Sequence, residues 1–232
     1  MYSLSPGYTA LVIGSSGTIG AAFSEEIAAD PSCGAVLSLS RSSCPGFDLR
    51  DAATINAALT EVVGDMRPAL VIDASGILSV DESGPEKSLA VVREEALREL
   101  MQINAFGPLL LLKALVPLLA KGRCVYGKLS ARVGSISDNR LGGWYGYRAS
   151  KAALNMLLQT AAIELQRRVP HLVVAAMQPG TVVSALSQRF VSASTPTVAA
   201  REAASGLLAA LDRLPAGPRA HFIDYRGENI PW

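Results

Sequence analysis

Tyr147 and Lys151 stand four residues apart in the run Tyr147-Arg148-Ala149-Ser150-Lys151. On a helix that spacing puts both side chains on one face, one turn apart. A phenol in water has a pKa of about 10 and is a weak acid or base at neutral pH. A neighbouring ammonium favours the phenolate and lowers that value. A drop of about three units takes roughly 4 kcal/mol of differential interaction. The pair is therefore a candidate for moving a proton to or from an oxygen. Tyr145 is a poorer partner, because Lys151 lies six residues on, about 240° around the helix. The same spacing also occurs on helix faces that do no chemistry.

The second candidate is Gly14-Ser15-Ser16-Gly17-Thr18-Ile19-Gly20. It follows the apolar run 9–13 and precedes a segment with Ile19, Ala22, Phe23 and Ile27 on one helical face. Glycines let the backbone turn sharply and approach a pyrophosphate, whose charge meets the helix N-terminus. A plain turn needing positive φ would use the same residues. The strand before it and the helix after it favour a dinucleotide. An NAD site carries a carboxylate about 20 residues beyond such a loop. That region reads Ser38-Leu39-Ser40-Arg41-Ser42, with no Asp or Glu. Arg41 can pair with a 2′-phosphate, and Ser40 and Ser42 can donate hydrogen bonds. NADP is expected over NAD; a solvated loop arginine is the alternative reading of Arg41. An oxidised nicotinamide ring would add a second positive charge near Tyr147 and Lys151.

These residues need elements to hold them. Strand-like runs at 9–13, 35–40, 69–74, 123–130, 172–177 and 221–225, with a short one at 47–49, alternate with helical segments at 18–29, 51–63, 87–119, 147–168 and 198–213. Gly107-Pro108 predicts a break in the long third segment. Strands alternating with helices predict an α/β fold: a single doubly wound Rossmann domain over residues 1–232, with a mostly parallel sheet of about seven strands. Such strands, buried on both faces, should be continuous apolar runs, as TALVI and LVVAAM are. Ligands bind outside the carboxyl ends of such strands.

Composition removes other classes. Of 232 residues, 50% are apolar and 18% charged, with a net charge of +1. That gives a full core and no basic excess for nucleic acid. Cys33, Cys44 and Cys124 form no CxxC pair, and His171 and His221 have no ligand spacing, so neither a disulfide framework nor a metal site is expected. The start of the chain has no basic segment typical of a secretory signal, and a reducing, cytoplasmic setting is expected. The run 108–120 holds Lys113 and Pro117 and is too short for a membrane span of about 20 residues, so a buried helix is expected.

Several motifs in order carry a family resemblance: Gly14–Gly20, Asp73-Ala74-Ser75-Gly76, Asn104 with Gly107, Ser130 before Tyr147 and Lys151, and Pro179-Gly180-Thr181-Val182. The chain resembles short-chain dehydrogenases/reductases over essentially its whole length, and the stretch 130–155 and the Ile-Pro-Trp ending resemble the C-factor-like and small carbonyl reductase branch. The resemblance implies an NADP-dependent enzyme acting on a small carbonyl or alcohol. In it Tyr147 is the general acid or base, Lys151 holds the nicotinamide ribose, Ser130 donates to the substrate oxygen, and Asn104 binds a relay water. Asp48 and Leu49 would flank the adenine, Ala74 and Gly76 the adenosine, and 179–182 with Ser184 the nicotinamide amide. It also implies a homodimer or homotetramer through the fourth and fifth helices; core burial explains the same apolar faces.

Three departures stand out. The loop reads GxxGxxG, with Thr18 where the family's short members carry a glycine. Ser130 lies seventeen residues before Tyr147 and Ser135 twelve, where about thirteen is usual; the strand end favours Ser130. Asp73 stands where an asparagine is usual, which changes the local hydrogen bonding. A lid over 183–197, with Leu186 and Phe190, and Trp144 and Tyr145 beside it, are candidate substrate walls; ordinary packing is the alternative. A cofactor-binding signalling protein with little turnover is the competing reading.

Overall fold

Val, Leu and Ile dominate the inner strands, and these pair into one parallel sheet in the order β2-β1-β3-β4-β5-β6. The strands are β1 (Tyr8–Ile13), β2 (Cys33–Leu39), β3 (Pro68–Asp73), β4 (Cys124–Leu129), β5 (Leu172–Gln178) and β6 (His221–Asp224). The computed structural model describes residues 1–184, 187–188, 191 and 195–232. Alternate residues feed two cores. Leu11, Ile13, Val71, Tyr126 and Val174 pack under α2 (Ala52–Val63), α4 (Gly107–Leu115) and α5 (Tyr145–Leu165). Val12, Leu70, Ile72, Val125 and Val173 pack under α1 (Thr18–Ala28) and α6 (Ala200–Arg213). The chain steps from β1 out to β2, then crosses back to β3 on the other side of β1. Its carboxyl end is thus the switch point where such sheets open a crevice.

The sheet has six strands rather than about seven. Residues 47–49 are not one of them. The Asp48 amide donates to Thr54 Oγ1 (3.1 Å), and Asp51 caps α2 by accepting from Ala53 N. This backbone is committed to a turn into the helix, while Phe47 and Leu49 are buried in the core, which explains their apolar signal.

The break expected at Gly107-Pro108 comes a turn earlier. After α3 (Glu94–Met101), residues Gln102–Phe106 form a π-helical turn around Asn104, and Pro108 sits in the first turn of α4 where the lack of an N–H is tolerated. The helical run Glu94–Leu118 is 25 residues long, enough by length and composition to cross a bilayer. Its Ala96, Leu100, Ala105, Leu111, Leu112 and Leu115 are buried within the protein, as expected of a core helix.

Candidate active site

The glycine loop closes on itself. Gly14 has φ +75, and a Cβ there would meet the Ala74 and Ser75 backbone at 3.0 Å. A Cβ on Gly20 would stand 2.1 Å from the Gly14 carbonyl oxygen, so only glycine lets α1 start this close to β1. Gly17 N donates to Gly14 O (3.0 Å), and Gly17 caps α1 without a side chain. Among the described residues, the backbone N–H groups of Thr18, Ile19 and Gly20 donate to no protein acceptor. Those free donors, on an eleven-residue helix, suit an anionic group.

At the end of β2, Ser40 is buried and its hydroxyl meets those of Ser42 and Ser43 (both 3.1 Å). Arg41 is exposed and makes no ion pair among the described residues. Arg50 instead holds Asp48, with Nε and Nη2 at 3.0 and 2.7 Å from its carboxylate oxygens. Leu49 is buried against Gly107, whose close approach only glycine permits. Arg41 lies near enough to Asp48 to add to the pull of Arg50, which holds that carboxyl below its usual value.

Tyr147 and Lys151 sit in the first two turns of α5, beyond the carboxyl end of β4. The helix start is unusual: Gly142, Gly143 and Trp144 all adopt left-handed backbone (φ 64, 64 and 54). Glycine takes that conformation freely, whereas Trp144 is held there. Its amide donates to Glu86 O, and Glu86 Oε2 accepts from Gly146 N at 3.1 Å. This buried carboxylate sits on the positive end of α5 and fixes where the Tyr147 turn begins.

The Lys151 ammonium lies 5.6 Å from the centre of the Tyr147 ring and donates to Leu129 O (3.1 Å). Asn104 reaches the same spot from the π turn. Its Oδ1 accepts from Ile77 N (2.9 Å), and its Nδ2 donates to Ile77 O (2.8 Å) and Ser150 Oγ (3.1 Å). A Cβ on Gly76 would touch Asn104 Oδ1 and Lys151 Nζ (3.0 and 3.5 Å), so the bare glycine keeps that corner open. The structure thus brings Gly76, Asn104, Tyr147 and Lys151 together. The Tyr147 hydroxyl has no hydrogen-bond partner among the described residues.

Electrostatics in this site differ from the sequence expectation. Burial brings Lys151 down to about 7, helped by the nearby Lys128 charge and opposed by Asp73. Desolvation raises the part-buried Tyr147 phenol above its usual value rather than lowering it. The expectation counted the pull of the ammonium and of an oxidised nicotinamide ring; in the protein alone, desolvation acts on both groups against their charged forms.

Ser130 is the clearest divergence. Its hydroxyl is buried and donates to Asn155 Oδ1 (2.7 Å), and it makes no hydrogen bond to Tyr147. Asn155 follows Tyr147 by eight residues, about 12 Å further along α5. Ser135 is also buried; its Oγ accepts from Asp138 N (3.1 Å). Among the described residues, neither serine hydroxyl hydrogen-bonds the phenol. Ala131, two residues past the end of β4, is extended (φ −156) and offers only a methyl group.

The remaining expected positions follow β5. Pro179 is buried, Gly180 has φ +78, and Thr181 O accepts from Val198 N (2.9 Å). The Ser184 amide donates to Ser187 Oγ (3.0 Å). Leu186 and Phe190 lie outside the described residues. Trp144 packs edge-on against Tyr147 at 6.1 Å, and Tyr145 is exposed beside it. Sequence reasoning missed Glu86, Asn155 and Lys128. Each acts through a partner far away in sequence; Lys128 and Asn155 stand out only as polar side chains in apolar segments, and Glu86, in the polar run 81–88, gave no signal.

Residues 8–194 match the short chain dehydrogenase family. The chain belongs to that family. Among curated members of related sequence, the 1-hydroxy-2-glutathionyl-2-methyl-3-butene dehydrogenase of Rhodococcus sp. is 29% identical over 81% of this chain and 79% of its own length. The C-signal protein of Myxococcus xanthus is 34% identical over 56% of this chain and 75% of its own. Among solved structures, the NADPH-bound carbonyl reductase from chicken fatty liver superposes with a TM-score of 0.82 at 22% identity, over 99% of this chain and 96% of that one. These likenesses agree with the crevice geometry of a short-chain dehydrogenase.

Proposed function

We propose that this short-chain dehydrogenase interconverts a carbonyl and an alcohol with NADP(H), using Tyr147 as the proton donor in reduction and the acceptor in oxidation. The observation that carries the reading is the meeting of Tyr147, Lys151 and Asn104 at the mouth of a glycine cradle. The unclaimed N–H groups at the start of α1, and the closeness only glycine allows at 14 and 20, suit a pyrophosphate. Arg41, which makes no ion pair at contact distance among the described residues, and the Ser40 and Ser42 hydroxyls suit a 2′-phosphate. Bound there, the dinucleotide supplies hydride exchange at its nicotinamide.

Lys151 would hold the ribose hydroxyls and, when protonated, stabilise negative charge on the phenol side of the reaction. Asn104, pinned to Ile77 through both amide atoms, is rigid enough to orient a water on its backbone side. Tyr147, protonated at neutral pH, is ready to donate to a carbonyl oxygen. Ser130 is better read as an anchor tying the end of β4 to α5 than as a substrate donor. Trp144 and Tyr145 would form one wall of the pocket. Exposed Met156 and Ile163 on α5 and Phe106 beside α4 suit pairing into a homodimer or homotetramer, tested by light scattering.

The test is NADPH consumption against a panel of aldehydes and ketones, with the alcohol identified. Stoichiometric alcohol formation supports the reading. The sequestered Ser130 hydroxyl and the similarity to C-signal favour a second reading, a cofactor-binding signalling protein with little turnover. Tight NADPH binding with no carbonyl reduced would select it.

A further inference from the structure

One buried charge pair has no part in the chemistry above. Lys128 on β4 and Asp73 on β3 are both fully buried, with Lys128 Nζ 2.8 Å from Asp73 Oδ1. The same ammonium donates to Ser75 O (2.6 Å) and Ser75 Oγ (2.9 Å). Three acceptors around one nitrogen match the three donors of a protonated lysine. Asp73 in turn accepts from Ser75 N (3.0 Å), from the Ser75 hydroxyl, and through Oδ2 from the Tyr126 hydroxyl (3.2 Å). Every polar atom of this group is engaged, as a buried pair requires.

The pair is placed under the site. The 73–76 turn that it closes presses Ala74 and Ser75 against Gly14 of the glycine loop, and Gly76 borders Asn104 and Lys151. Lys128 is also two residues before Ser130 and one before Leu129, whose carbonyl holds the Lys151 ammonium. We propose that Lys128 is a positioning residue: with Asp73 it holds the 73–76 turn against the glycine loop on one side and beside Lys151 on the other.

Lys151 meets several charged or titratable neighbours. Tyr147 comes from its own helix, Lys128 from β4 and Asp73 from β3. The π turn brings Asn104, which is neutral. The 132–134 turn that packs on Lys151 Cβ carries Arg132, paired with Asp138 and Asp224. Lys113 on α4 is exposed. Lys128 and Asp73 are thus the opposed buried charges that act on Lys151. Removing the first should favour its protonated form, and removing the second should disfavour it.

This inference rests on the proposed role of Lys151, but its test does not need turnover. The chain has five lysines, so 13Cε-lysine labelling with Lys151→Arg as the assignment control resolves the Lys151 titration by NMR. Expected are a midpoint raised by about one pH unit in Lys128→Met and lowered by a similar amount in Asp73→Asn. The double variant, which removes both charges, should titrate near the wild type; if one single variant does not fold, the shift of the other in its expected direction carries the test. NADPH affinity should follow the same midpoints. Unmoved midpoints, or both single variants shifting the same way, would overturn the proposal. Normal opposite shifts in a protein that reduces no carbonyl would instead sink the enzymatic reading and leave this one standing.

Discussion

A lysine with a folded pKa of about 7 is half-charged at neutral pH. Unfolded, it would titrate at about 10.4. Between those values the unfolded chain binds more protons, so this group makes stability rise with pH from about 7 to about 10. Urea unfolding at pH 6.5 and 9 should show the wild type gaining about 2 kcal/mol relative to Lys151→Met. A flat difference would contradict the buried ammonium. Two side chains at the crevice make further predictions. Ser130→Ala should lower kcat less than tenfold while weakening the protein by about 1 kcal/mol, because its bond to Asn155 is structural. A loss of a hundredfold or more would return Ser130 to the chemistry. Arg41→Glu should weaken NADPH binding by tenfold or more and leave NADH nearly unchanged, measured by fluorescence titration. Tyr147 and Lys151 were legible because their spacing alone places them. The direction of their pKa shifts was not, since desolvation depends on neighbours that sequence does not order.

The elements around the site hold its geometry at a few close approaches. Glu86 fixes the start of α5 by accepting from Gly146 N, behind three left-handed residues. Glu86→Ala would leave a buried N–H without a partner, a loss of about 1–3 kcal/mol by urea unfolding, with turnover falling more than cofactor affinity. Gly20→Val should abolish cofactor binding, since the side chain meets the Gly14 carbonyl. The strands and helices themselves were readable from apolar runs and helical periodicity. The exceptions have physical causes. Phe47 and Leu49 are apolar because they are core, not because they pair with another strand. The helix break moved to Asn104 because its amide side chain binds the Ile77 backbone across the crevice, a contact between residues 27 apart.

At the scale of the whole molecule, two cores flank one parallel sheet and leave the carboxyl ends of β1, β3, β4 and β5 facing the crevice. A ligand that bridges the glycine loop, the 73–76 turn and α5 should stabilise them together. At a hundred times its Kd, NADPH should add about 2.7 kcal/mol and raise Tm by roughly 5–10 °C, with NADH giving less at equal concentration. Alternation of strand and helix made this architecture legible from the chain alone. The Lys128–Asp73 pair was invisible there, because fifty-five residues separate two charges that meet only once β3 and β4 lie side by side.

The central claim is that the Tyr147 phenol moves the proton while the cradle holds the cofactor. It is tested by comparing wild type and Tyr147→Phe under saturating NADPH with a reducible carbonyl. Turnover should fall by about a thousandfold while the Kd for NADPH stays within a few-fold of wild type. A phenylalanine variant that reduces the carbonyl at a near-normal rate would contradict the account.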